Sequence, residues 1–454
     1  MDEKQLFPSL RVFRWMVLVQ VLCGSGAIAD AEGKYVVRQM HDGSPDLEIT
    51  FELPQGGQGM NRKLFARGVA WGLQEQIRAP RCVGGPMLTR DDDGHWIAPP
   101  GCSQVTWVVS PTVMKYGVVD ASAQASVFLS QPAWTLLSEP TSLLRVMGAP
   151  ARQDTLRAGD GGTHLLGATP MKDGAWRVPA DNNAPEFYIA GRAQVEHQQV
   201  GGFSVSYVSD DPRRVARLGL TASHAEALRY LVRVVYGDTE VSEKDRSLLV
   251  VWLGIDAQHG RVGGAAGSRS FVTNYLIGDE KDIKSLVATT LMILAHEQFH
   301  QLVDARRGEL PALPAWINES LAQCYGLQAM QKAMQDKIVS DKLIQRFIDS
   351  DRMVEQGLIG VEAIFDSDRS RATDLAYRQG ATFWAELDRI LRLVSDGAAS
   401  LEEYIPSLMR MDFPENGSLP DAFLAQLHRW HDDRIEQIIR KYVDASDGAA
   451  GSGD

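Results

Sequence analysis

Basic residues are sparse and nowhere dense in this 454-residue chain, where 46 Lys and Arg face 58 Asp and Glu for a net charge of −12 at pH 7. A nucleic-acid partner is held by clustered Lys and Arg, so the composition argues against one. Cysteine is scarce as well. The four present, Cys23, Cys82, Cys102 and Cys324, lack the spacing of a structural zinc site. There is no Gly-rich loop ending in Gly-Lys-Ser/Thr and no Gly-x-Ser-x-Gly elbow, which removes the usual signatures of NTP hydrolysis and serine-hydrolase chemistry. No internal repeat points to a solenoid. Past residue 30 no apolar run reaches the ~20 residues that cross a bilayer, so no membrane span is expected in the mature chain. The composition that remains, 44% hydrophobic and 23% charged, is that of a globular protein. Its length predicts two or three domains.

The N-terminus has a definite order. Residues 2–14 hold Asp2, Glu3, Lys4, Arg11 and Arg14, the apolar run Trp15–Cys23 follows, and Ala27-Ile-Ala29 precedes Asp30. Weak positive charge, a short apolar core and small residues predict a secretory signal peptide over residues 1–29, cleaved near Ala29. The chain is then exported to a periplasmic or extracellular space; an uncleaved N-terminal anchor is the alternative. In such an oxidising compartment Cys82 and Cys102 are expected to pair. Cys324 falls in a predicted helix and reads as a buried thiol.

Texture divides the rest. Residues 34–208 carry short apolar runs such as Leu47–Phe51, Val105–Val109 and Phe203–Val208, separated by Gly, Pro, Asp and Asn clusters including Asp91-Asp-Asp-Gly94. That pattern predicts a β-rich domain. Residues 212–443 predict a second, mostly helical domain. Its expected helices cover 212–236, 282–307, 315–332, 334–349, 373–395, 399–410 and 419–442, with strands at Leu248–Leu253 and Ser270–Ile277. The Gly-, Ala-, Ser- and Asp-rich tail 444–454 is expected to be disordered. The fold class is therefore α+β.

Residues 296–300 read His-Glu-Gln-Phe-His. On a helix, positions four apart lie one above the other, so His296 and His300 reach one metal ion while the Glu297 carboxylate reaches its water. Residues 316–322 read Trp-Ile-Asn-Glu-Ser-Leu-Ala, placing eighteen residues between His300 and Glu319. A carboxylate on a second helix supplies a third ligand, and three protein ligands with an open fourth position make a catalytic zinc site. Asp304, one turn past His300, is a candidate hydrogen-bond partner for a ligand imidazole, or else a solvated helix-end carboxylate. The other histidines are isolated or stand beside Asp432 and Asp433.

This pattern resembles the gluzincin metallopeptidases related to aminopeptidase N. Gln301 after the second histidine agrees with that family, while Ser320 stands where it usually has Gly. Tyr377-Arg-Gln-Gly-Ala381 is similar to the family's Tyr-x-x-Gly-Ala/Phe segment. The resemblance implies that Tyr377 donates a hydrogen bond to the tetrahedral oxyanion. It also implies a β domain joined to a thermolysin-like zinc-peptidase domain, in a compact form without the large C-terminal helical domain. The family's Gly-x-Met-Glu-Asn stretch, whose glutamate grips a free amine, is replaced by Gly263-Gly-Ala-Ala-Gly-Ser-Arg-Ser270. A strand there can pair with an extended peptide through the main chain of Gly264 and Ala265. Aminopeptidase and endopeptidase specificity both stay open. The expectation is an exported metallopeptidase with one zinc ion at His296, His300 and Glu319. Glu297 and Tyr377 are its catalytic residues and a peptide or protein its substrate. The alternative is a non-catalytic zinc-containing protein that binds a peptide or partner on the same scaffold.

Overall fold

The computed structural model describes residues 33–444 apart from 42, 55–60, 149–153, 160–162, 257, 260–261 and 279–282. The signal-peptide reading and nearly all of the tail reading lie outside the described residues. Strands dominate the first half and helices the second, an α+β arrangement. The chain forms two compact units. One holds residues up to Gln199 with Phe203–Val215 and Glu243–Gly278; the other holds Val200–Gly202, Ala216–Ser242 and the residues from Asp279 on. The units thus interleave along the chain instead of meeting at one boundary between 208 and 212.

In the first unit a six-stranded sheet runs in the order Trp176–Val178, Asp154–Ala158, Lys34–Gln39, Leu47–Glu52, Gln104–Val109, Ile77–Cys82. Period-two alternation explains its core. Leu47, Ile49 and Phe51 face Val109, Trp107 and Val105 across the ladder, all of them buried. Tyr35 stacks on Phe51 with centroids 4.2 Å apart. A disulfide joins Cys82 to Cys102 across a Cα separation of 5.8 Å.

A separate five-stranded sheet runs Val195–Val200, Phe203–Ser209, Ser247–Asp256, Ser270–Ile277, Gly264–Ala266. Ser247–Asp256 is parallel to both its neighbours, and Leu248 through Ile255 are buried. A central parallel strand is covered on both faces, which is why this segment reads as a continuous apolar run without alternation. Gly264–Ala266 is the edge strand, antiparallel to Ser270–Ile277, with Gly264 opposite Thr273 and Ala265 opposite Val272.

The second unit is helical: α1 Leu220–Tyr236, α2 Ile283–Arg307, α3 Ala315–Ala333, α4 Lys337–Phe347, α5 Leu358–Ile364, α6 Arg369–Leu375, α7 Ala381–Val394, α8 Ile405–Leu408, α9 Asp421–His428 and α10 Asp433–Tyr442. Several expected helices are shorter than the periodicity implied. Pro212–Arg217 is separate from α1 because Gly219, at φ +65°, turns the chain between them. His431, also at positive φ, precedes Asp432, which caps α10 and divides the expected 419–442 helix. α5, seven residues long behind Gly357, was not expected at all.

Candidate metal centre

Helix α2 is buried almost throughout its middle, from Thr290 to Val303, because it packs between α1 and α3. Apolar side chains on every face let the helix run through the interior, and the His-Glu-Gln-Phe-His segment is carried in with them. His296, Glu297 and His300 are all buried. Helix α3 starts after Pro314 and brings Glu319, also buried, alongside. The two helices approach closely at Gly326, where a Cβ would stand 3.0 Å from the backbone nitrogen of His296.

Three donor atoms converge. His296 Nε2 and His300 Nε2 are 3.1 Å apart, and Glu319 Oε2 lies 3.4 Å from the first and 3.7 Å from the second. The opposite ring nitrogens are engaged. His296 Nδ1 donates to Gln323 Oε1 at 3.2 Å, and His300 Nδ1 donates to Asn318 Oδ1 at 3.0 Å. The Gln323 amide nitrogen points to Met292 Sδ instead, which fixes its oxygen toward the ring. Amide oxygens only accept, so each neutral imidazole carries its proton on Nδ1 and turns a bare Nε2 inward. Two lone pairs and a carboxylate oxygen facing one another repel unless a cation lies between them. Glu319 Oε2 is itself buried, facing the two Nε2 atoms at distances longer than an ordinary hydrogen bond. Two imidazole nitrogens and one carboxylate oxygen, each histidine steadied by an amide, are the donor set of a catalytic zinc site, and the residues fit that ion.

The electrostatics agree. Burial opposes ionisation of Glu319, but His300 and His296 outweigh it and hold the carboxyl far below its ordinary range. Burial would lower the His300 imidazole, yet Glu319 pulls it up to about 9, so with no metal ion bound a proton on His300 Nε2 takes the cation's place between the three atoms. The cluster therefore attracts positive charge. Burial raises the Glu297 carboxyl, with Glu319 adding to the rise and the two histidines opposing it.

Tyr377 lies in a π-helical segment, Ala376–Gly380, between α6 and α7. Single π turns inside helices recur at functional sites because the extra residue re-aims a side chain. The buried Tyr377 ring meets His296 edge-on, with centroids 5.1 Å apart. Burial pushes its hydroxyl well above the usual tyrosine value and the Glu319 and Glu297 carboxylates push the same way, so it stays protonated.

Asn318 and Gln323 went unnoticed in the sequence. They flank Glu319 at −1 and +4 on α3, and only Gln323, one turn along the same face, carried a helical-spacing signal. Asp304 is exposed, and the His300 partner is Asn318 instead. A second grouping, Asp91, Asp93 and His95, sits on a turn where Lys63 meets both carboxylates, at 2.7 and 3.6 Å. Gly264 and Ala265 belong to the first unit, on its edge strand. Cys324 is buried in α3, its thiol pushed up to about 12 by burial.

No protein-family model matches the chain, and no curated protein matches it in sequence. Among solved structures the chain is similar to an aminopeptidase N family protein from Idiomarina loihiensis, with a TM-score of 0.61 and 13% identity over 91% of this chain and 76% of that one. In coarse outline, then, this chain has an aminopeptidase-N-like fold.

Proposed function

We propose that this chain is an exported zinc metallopeptidase whose helical unit is a thermolysin-like catalytic domain. The observation that carries the reading is the convergence of His296 Nε2, His300 Nε2 and Glu319 Oε2 in a buried cluster. When bound there, zinc supplies Lewis acidity, polarising a scissile carbonyl and lowering the pKa of a water toward ~7. Glu297 takes a proton from the attacking water on its carboxylate and passes it to the leaving amine. Tyr377 donates its hydroxyl proton in a hydrogen bond to the oxyanion, a charge present only in the transition state. Asn318 and Gln323 hold the two rings so that Nε2 points inward. The apolar walls around α2 keep bulk water away and strengthen each of these interactions.

The substrate in this reading is a peptide, and the Gly264–Ala266 edge offers backbone groups of the kind an extended chain pairs with. The absence of a glutamate in 263–270 leaves the free amine without its family partner, which supports cleavage inside a chain as much as at its end. The Cys82–Cys102 disulfide supports an oxidising compartment and so export. A fluorogenic peptide library tests the reading: turnover that a chelator abolishes and zinc restores is expected. Glu297→Gln should keep its zinc, by elemental analysis, and lose a factor of ~10² or more in kcat. Zinc bound tightly with no cleavage of any peptide would favour the non-catalytic, partner-binding alternative.

A further inference from the structure

Between α4 and α5 the chain crosses residues 348–357 without forming a helix or strand. Backbone groups in such a segment need partners from elsewhere. The π turn that carries Tyr377 and the start of α7 supply them. The Gln379 amide uses both of its ends: Oε1 accepts from Glu355 N at 3.0 Å, and Nε2 donates to the Gln356 carbonyl. Thr382 Oγ1 accepts from Asp349 N at 3.1 Å and donates back to the Arg378 carbonyl at 2.7 Å. Gln379 and Thr382 are only 5% and 2% exposed. Water therefore does not replace these bonds when a side chain is removed.

The π turn makes this anchor matter. The Ala381 amide reaches the Ala376 carbonyl, five residues back, one residue more than an α-helix encloses. Relaxation to the ordinary ladder would turn Tyr377 relative to α7 by about 100°, the advance of one residue at 3.6 per turn. Its ring would then leave His296. π turns are rare, so contacts outside the ladder hold this one in place. Residues two apart on a helical turn face different ways. Tyr377 lies against His296, Gly380 against Ser320, and Gln379 against residues 355–356. The turn is held from three directions, and Gln379 supplies the only one of the three that is made of hydrogen bonds from a side-chain amide.

We propose that Gln379 is a positioning residue for Tyr377. By pinning the π turn to residues 355–356, its amide fixes the aim of the phenol at the metal cluster. The inference rests on the oxyanion role given to Tyr377 above, and adds a residue that acts only through it.

Gln379→Leu keeps most of the bulk and removes both bonds, and two measurements on the full chain test it. In the first, the metal-free protein carries 3-fluorotyrosine, and the fluorine NMR signal of Tyr377 is identified by its loss in Tyr377→Phe. That signal is expected to move or broaden in Gln379→Leu as the ring leaves the edge of His296, with the other tyrosine signals in place. An unchanged Tyr377 signal overturns the proposal, whether or not the chain cleaves peptides. In the second, kcat on a fluorogenic peptide should fall ~10–100-fold in Gln379→Leu, with KM and bound zinc unchanged. Added to Tyr377→Phe, the same change should cost less than about twofold. Equal losses in the two backgrounds overturn the proposal, because Gln379 would then act on the fold and not through the phenol. Wild-type kcat in Gln379→Leu beside a reduced kcat in Tyr377→Phe overturns this inference alone. Wild-type kcat in Tyr377→Phe overturns the oxyanion role beneath it. Should the leucine variant not fold, Gln379→Glu, which keeps the acceptor for Glu355 N and lacks the donor for Gln356, takes its place with the same expected outcomes at pH 7.5.

Discussion

Replacing Gly326 by alanine tests whether helix packing sets the spacing of the three donor atoms. Gly326 lies seven residues past Glu319, two turns along the same face of α3. A Cβ there would stand 3.0, 3.1 and 3.2 Å from the nitrogen, Cα and Cβ of His296. Comfortable carbon contacts begin near ~3.5 Å, and these neighbours are mostly backbone atoms of a helix that cannot swing aside. The methyl must therefore move α2 and α3 apart by a few tenths of an ångström. Metal–ligand distances tolerate about ±0.2 Å. Overpacking costs roughly 1–3 kcal/mol, and exchanging Gly for Ala in a helix interior returns about 1 kcal/mol. Global stability should consequently fall by no more than about 2 kcal/mol, a few degrees in Tm. Zinc affinity, which depends on the separation itself, should fall about tenfold or more, as when a group supporting a ligand is removed. Competition against a fluorescent zinc chelator measures the affinity, and circular-dichroism melts of the same samples measure the fold. Wild-type zinc affinity in a well-folded Gly326→Ala would refute the reasoning, because the close approach of α2 and α3 would then not define the site.

Three further outcomes follow from the same geometry. Tyr377→Phe keeps the ring against His296 and removes only the hydroxyl, so kcat should drop ~10²–10³-fold with KM nearly constant; steady-state kinetics showing an unchanged kcat would exclude the oxyanion role. His224 is buried on α1, its Nε2 bonded to Gln298 Oε1 at 3.3 Å, and burial lowers its pKa from 6.5 to about 4. A depressed histidine contributes stability that is intact above pH 6.5 and lost as pH falls toward 4, so urea titrations should show roughly 2–3 kcal/mol less loss between pH 7.5 and 4.5 in His224→Gln than in wild type; identical losses would contradict a neutral buried imidazole. The Cys82–Cys102 bridge spans 20 residues, and its removal in Cys82→Ser/Cys102→Ser should lower stability by about 3 kcal/mol in guanidinium unfolding, an expectation that coincident curves would overturn.

Much of the site was legible because it is local. An i, i+4 pair of histidines with a glutamate between them needs only helical geometry, and His296, Glu297 and His300 sit on one helix as that spacing requires. Glu319 needed a second helix, which Pro314 and the apolar residues after it announced. The imidazole partners were less legible. Asp304 has the right spacing from His300 on α2, but the Nδ1 direction selects Asn318 on α3, and that direction exists only once the helices have packed. Sheet membership was hidden in the same way. Ser247–Asp256 reads as a strand, yet nothing local says that it pairs with Phe203–Ser209 across an intervening helix and so joins the β-rich unit. Short caps were missed for want of length: Gly219 and Asp432 each end an apolar period that continues beyond them.

The serine that follows Glu319 packs against the segment that carries Tyr377. A Cβ on Gly380 would come within 2.5 Å of the Ser320 Cβ, so the π-helical segment carrying Tyr377 rests directly on the residue beside the ligand carboxylate. With Ser320 in place on α3, position 380 has no room for a side chain. The Ser320 hydroxyl accepts from Trp384 Nε1 on α7 at 2.7 Å and faces the Ile317 carbonyl at 3.3 Å. Trp384 in turn stacks on Trp316 of α3, with centroids 5.9 Å apart. α3 is therefore packed directly against the tyrosine-bearing segment and hydrogen-bonded to α7, which continues it, within a packed interior that transmits small displacements. Tyr377 and Glu319 cannot shift independently: any side chain at 380 moves the phenol relative to the carboxylate although it touches neither. That shared contact, more than the motif residues alone, holds Tyr377 and Glu319 in one arrangement.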